Sequence, residues 1–168
     1  MIGLLWMIIL GGFIFTKELV IRTGDEVLLK TVPVDPRDLF RGDYVTLRYD
    51  ISRIDKNFLR QPIEEFDYGD TVYVVIETDS RGVAHIVSVG KNQPFKSSLF
   101  LRGEVIDVRR NEIDVEYGIE SYFVPEGEGD KIERSIQDIY VKIVVDRHGR
   151  AIIKSLIADG EEIKSKST

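Results

Sequence analysis

The spacing of hydrophobic positions divides the chain near residue 24. Before it the apolar residues are continuous: residues 1–15 contain no charged side chain, and the first charge is Lys17. After it they alternate. In residues 43–51, Val45, Leu47, Tyr49 and Ile51 fall on one side and Tyr44, Thr46, Arg48 and Asp50 on the other, the period-2 pattern of a half-buried strand. Residues 71–78 are the richest in β-branched side chains, and Ser80-Arg81-Gly82 turns the chain into a further strand over 83–89. Strands are predicted again over 98–108, 112–116 and 121–124. Residues 139–146 and 151–158 form the last pair, joined through the hairpin signal Arg147-His148-Gly149. Gly42-Asp43 and Gly69-Asp70 each stand directly before a strand, where glycine permits a positive φ and aspartate can bond the turn's amides.

Helix is scarce. Asp130 as cap and Glu133 three residues later predict a short helix over 130–137, and Asp35-Pro36 predicts a helical turn over 36–40. The expected fold is mainly β (α+β): an antiparallel β-rich domain over 23–160, one amino-terminal hydrophobic helix, one short internal helix, and a polar tail over 161–168. Lys91-Asn92-Gln93-Pro94 interrupts the strand pattern, which leaves open a division into two β subdomains near 95–100.

As a helix, residues 1–15 would span about 22 Å, short of the ~30 Å hydrocarbon layer. Continuing through Leu19, Val20 and Ile21 reaches about 31 Å, with Lys17 snorkelling toward the interface. Residues 1–22 are therefore read as an uncleaved transmembrane anchor, and the membrane as the first partner. A secretory leader fits less well, because no basic residue precedes the apolar run and the first alanine of the chain is Ala84. A helix buried in protein would need other helices around it, and the remaining sequence predicts few. Lys17, Glu18, Arg22, Asp25 and Glu26 nearly cancel, so the positive-inside bias is slight; the domain is read as extracytoplasmic.

Composition narrows the chemistry. Of 168 residues, 43% are hydrophobic and 31% charged, with a formal net charge of −6. That balance excludes a wholly disordered chain and argues against a nucleic-acid partner. With no cysteine, disulfides, iron–sulfur clusters and thiolate chemistry are excluded. Two histidines leave little for a metal site, so no cofactor or metal is expected. His85, within an apolar strand, is read as a partly buried structural residue, and His148, in a turn, as solvent-facing.

The densest polar chemistry lies in residues 32–49. Asp35, Arg37, Asp38, Arg41, Asp43 and Arg48 place three arginines and three aspartates within 14 residues, with Tyr44 and Tyr49 beside them. In one reading an arginine fork grips an anion or a partner's carboxylate while an aspartate orients it. In the other, Asp35 caps the helical turn, Asp43 stitches the strand entry, and the arginines pair with these acids. Glu116, Glu120, Glu126 and Glu128 form a second acidic run, without the Asp/Asn spacing of a calcium loop. Ser121 lies in no nucleophile elbow.

The stretch from Pro33-Val34-Asp35-Pro36-Arg37 through Gly42-Asp43-Tyr44, Leu47 and Tyr49 resembles the signature of the GDYXXLXY family of bacterial membrane-anchored proteins, as does the later Tyr117-Gly118-Ile119-Glu120-Ser121-Tyr122-Phe123-Val124-Pro125-Glu126-Gly127. The resemblance implies a membrane anchor and names no activity. A departure is the missing basic leader, which leaves orientation open. More distantly, Val34-Asp35-Pro36 followed by Gly42-Asp43-Tyr44-Val45 is similar to the membrane-proximal segment of bacterial signal peptidases. No serine stands at the nucleophile's place, and no motif locates a general-base lysine, although Lys91 exists. The expected function is a non-enzymatic binding or accessory module of the cell envelope that binds a partner protein or an envelope ligand. The alternative is a hydrolase-like enzyme with a carboxylate/arginine site.

Overall fold

The alternating pattern becomes hydrogen-bonded ladders. The structure is a computed structural model describing residues 24–32, 40–41, 44–95, 98–123, 139–158 and 160–163. These residues form β1 (Asp25–Lys30), β2 (Phe40–Arg41), β3 (Tyr44–Thr46), β4 (Arg53–Asp55), β5 (Thr71–Thr78), β6 (Ala84–Gly90), β7 (Phe100–Val108), β8 (Glu112–Glu116), β9 (Ser121–Phe123), β10 (Ile139–Val145), β11 (Ala151–Ala158) and β12 (Glu161–Ile163). Every ladder between these strands is antiparallel. The expected antiparallel β-rich architecture is therefore the one observed. The amino-terminal helix and the internal helix over 130–137 lie outside the described residues. So does the helical turn over 36–40, except Phe40, which belongs to β2. Among the described residues no helix is long and apolar enough to cross a membrane.

Three sheets share the strands. One has the order β1-β10-β11-β12, a second β2-β3-β9, and the third β4-β8-β7-β5-β6. The first sheet joins the two ends of the described chain. In the third, β5 and β7, on either side of residues 95–100, are direct neighbours from Thr71↔Glu104 to Val75↔Phe100. Where a polar tail was expected, Glu161–Ile163 instead pair with β11. Ile163 is buried, and its carbonyl accepts from the Tyr122 hydroxyl at 3.2 Å. One apolar residue among polar neighbours is too little periodicity to announce a strand.

A single core draws on all three sheets. It contains Val27 and Leu29 of β1, Val45 of β3, Val72 and Val74 of β5, and Val141 and Ile143 of β10. Each such side chain contributes roughly 1.5–3 kcal/mol on burial.

Two turns follow the sequence logic closely. At Gly69-Asp70 the glycine has φ 87°, and the Asp70 carboxylate accepts from the Asp67 amide at 2.7 Å. Lys91 then binds that carboxylate at 2.7 Å, donates to the Glu65 carbonyl, and lies 5.5 Å from the centre of the Phe66 ring. At the β10–β11 hairpin the Asp146 carboxylate accepts from the amides of His148 (2.8 Å) and Arg150 (2.9 Å) and from the Arg150 guanidinium (2.9 Å). Gly149, at φ 78°, leaves no room for a β-carbon beside the Phe100 ring, and its carbonyl accepts from the Arg102 amide at 2.8 Å, so the tip of the first sheet docks on β7 of the third.

Candidate functional site

The segment carrying the signature holds the three sheets together. Tyr44–Thr46 pair with Ser121–Phe123 of β9, so the two stretches that carry the family resemblance are adjacent strands. The backbone then changes partner. The Leu47 amide donates to the Glu120 carbonyl at 2.7 Å, the Val32 amide donates to the Arg48 carbonyl at 2.8 Å, and Tyr49 bridges Thr31 just beyond β1. A 3-10 turn at Asp50–Ser52 leads into β4, which joins the third sheet through β8.

Burial along this segment follows the predicted alternation, with Val45, Leu47, Tyr49 and Ile51 all inside. Tyr49, a candidate for ligand contact, is only 1% exposed, and its hydroxyl donates to the Ile119 carbonyl. It is a core residue, placed there by the same period that buries Leu47. Tyr117 returns the bond: its hydroxyl donates to the Ile51 carbonyl at 2.6 Å. Two phenols thus cross-brace residues 49–51 and 117–119. Burial pushes both phenols well above the ordinary tyrosine range, so both remain protonated donors.

Glu120 closes this brace. Its carboxylate accepts from the Tyr117 amide at 2.6 Å. Burial raises its pKa, and the amide bond opposes that rise. Glu116, by contrast, is exposed on β8 opposite Glu104, and Glu126 and Glu128 lie outside the described residues. Among the described residues no three His, Cys, Asp or Glu side chains converge as a metal site.

Of the other candidates, Arg48 is exposed and has no ion-pair partner among the described residues. Arg41 and Tyr44 are backbone partners across β2 and β3. Asp35, Arg37, Asp38 and Asp43 lie outside the described residues. His85 corrects its expectation: its side chain is 59% exposed and sits 3.7 Å from Asp79, because it occupies the outward phase of β6. The sequence emphasis on residues 32–49 missed Tyr117 and Glu120 as partners of the signature. The signal available was the second family-like stretch, whose tyrosines and acid interleave with apolar positions.

A separate ion network spans β4, β7 and β8. Arg53 Nε lies 3.2 Å from Asp114, and Arg109 reaches Asp107 (2.9 Å), Glu112 (2.7 Å) and Asp114 (2.8 Å). Arg109 is engaged by three carboxylates and Arg53 through its Nε alone, which makes the network a cross-strand brace.

The geometry defines an antiparallel β protein whose signature strand is a structural junction with one polar side outward. A family model described as "GDYXXLXY protein" matches residues 6–156. The chain belongs to the GDYXXLXY family. No curated protein matches it, and no solved structure does.

Proposed function

We propose that this chain is a single-pass membrane protein of the cell envelope whose β-rich domain, on the extracytoplasmic side, is a binding module rather than an enzyme. Residues 1–22 are its anchor, supported by the charge-free run over residues 1–15. The polar side of the signature is the binding surface, offered to a partner protein by Asp35, Arg37, Asp38, Arg41, Asp43 and Arg48. The observation that carries this reading is the contrast within three residues: Leu47 and Tyr49 are locked in the core while Arg48 between them is exposed and unpaired among the described residues. A guanidinium presented from so fixed a backbone is a preorganised contact for a carboxylate.

Two measurements test it. The full-length chain should stay in the membrane pellet through alkaline carbonate washing; release into the supernatant removes the anchor. Crosslinked capture of a partner by the detergent-extracted chain should be lost in the triple variant Arg37→Ala/Arg41→Ala/Arg48→Ala with the unfolding midpoint unchanged. Undiminished capture by that variant removes the binding surface.

A further inference from the structure

From the recess where the domain begins, we infer that the end of the domain bearing Gly24, Phe95 and Arg147 rests on the lipid surface, a contact additional to the anchor. This inference rests on the anchored reading above. A cavity of about 610 Å³ is lined by Gly24, Asp25, Gln93 and residues 98–100 and 145–148. The start of β1, the β6–β7 connection and the β10–β11 hairpin tip therefore meet at one end of the molecule. On that connection Phe95 is 89% exposed, and the Ser98 amide donates to its carbonyl at 3.0 Å. A phenyl ring so placed can enter an apolar layer brought against it.

Chain length says what receives it. Between Ile21, the last apolar residue of the anchor, and Gly24 stand only Arg22 and Thr23. Three extended steps reach about 10 Å. The recess is thus confined to headgroup depth, where an aromatic ring has its apolar body in the acyl boundary. Arg147 adds charge complementarity: it is exposed, its Nε donates to His148 at 3.1 Å, and no described carboxylate takes it, Asp146 being held by Arg150. Asp25 offsets part of this charge, so the ring supplies the insertion and the guanidinium the attraction to anionic headgroups.

The absence of cysteine allows a direct test. Full-length chain carrying Gln93→Cys, labelled with an environment-sensitive fluorophore, is reconstituted into phosphatidylcholine vesicles with and without phosphatidylglycerol. Glu161→Cys is the control. Its strand edge lies at the far end of the first sheet, roughly 20 Å away along β10 at ~3.4 Å per residue. Doxyl-labelled lipid should quench the label at 93 several-fold more strongly than that at 161. Phosphatidylglycerol should strengthen that quenching, and Phe95→Ser or Arg147→Glu should reduce it. Equal, weak quenching at both sites in chain that floats with the vesicles overturns this inference and leaves the anchor intact. Shielding of 93 from aqueous iodide without lipid quenching also overturns it, since protein then covers the face. Chain that fails to float overturns both readings.

Discussion

Tyr49 combines two demands that a single atom separates. Its ring belongs to the core and its hydroxyl serves the Ile119 carbonyl. Tyr49→Phe keeps the first and abandons a buried acceptor, which costs about 1–3 kcal/mol. Leu47→Ala opens a cavity at a cost of about 2–5 kcal/mol, whereas Arg48→Ala, on the exposed side, should stay within about 0.5 kcal/mol. Urea unfolding of the three variants measures this ranking; an Arg48 variant as damaged as the Leu47 variant would make the outward side structural too. Glu120 adds a pH signature. Its folded pKa lies above its unfolded one, so the stability it contributes is present below the unfolded value, about 4.3, and is lost as pH rises through the folded value. Glu120→Gln retains an acceptor for the Tyr117 amide without that penalty. Its stability relative to the parent should rise as pH increases from acid toward neutrality, and unfolding curves across that range would reveal a flat difference if the acid were unperturbed.

At the scale of elements, the β10–β11 hairpin carries the opposite sign. Burial alone would raise the Asp146 carboxyl, but the amides of Arg150 and His148 and the Arg150 guanidinium outweigh it and hold its pKa below the usual range. Its contribution is therefore present above the unfolded pKa, about 3.9, and is lost as pH falls through the folded value. Asp146→Asn should destabilise at neutral pH by an amount that shrinks in acid. Gly149→Ala should cost about 2–4 kcal/mol at any pH, because a β-carbon there combines positive φ with collision against the Phe100 ring and the Arg102 amide. This hairpin was legible in advance from Arg147-His148-Gly149, and β5, β8 and β11 match their predicted bounds because β-branched alternation and ladder pairing coincide there. Over residues 43–51 they part: burial keeps its period to Ile51 while the strand ends at Thr46 and the backbone changes partner. Alternation reports which side faces the core, not which carbonyl an amide finds. Tyr117 was hidden for the same reason, since its hydroxyl finds the Ile51 carbonyl 66 residues away, and so was the Glu120 carbonyl, which accepts from the Leu47 amide.

For the whole molecule the decisive feature is how distant parts of the chain depend on one another. β1 has its ladder with β10, so the first sheet cannot form until residues 139–145 arrive. The signature segment then ties that sheet to the second through β9 and to the third through β4 and β8. With one core shared by the three sheets, unfolding either side of residues 95–100 exposes apolar surface on the other. A single cooperative transition is expected. Under conditions where exchange reports equilibrium opening, the slowest amides of β5 and β10 should converge on one free energy; a clear separation would instead mark two units that unfold apart. A chain ending at residue 138 sharpens the comparison. It keeps the signature and the whole third sheet, yet strips β1 of its partner and uncovers the core beneath Val27 and Leu29. It should lose protection throughout, including in β5 and β7, whose own ladders the truncation does not touch. Native-like protection retained in β5 would show that the third sheet folds without the first, and that the signature joins two units rather than completing one.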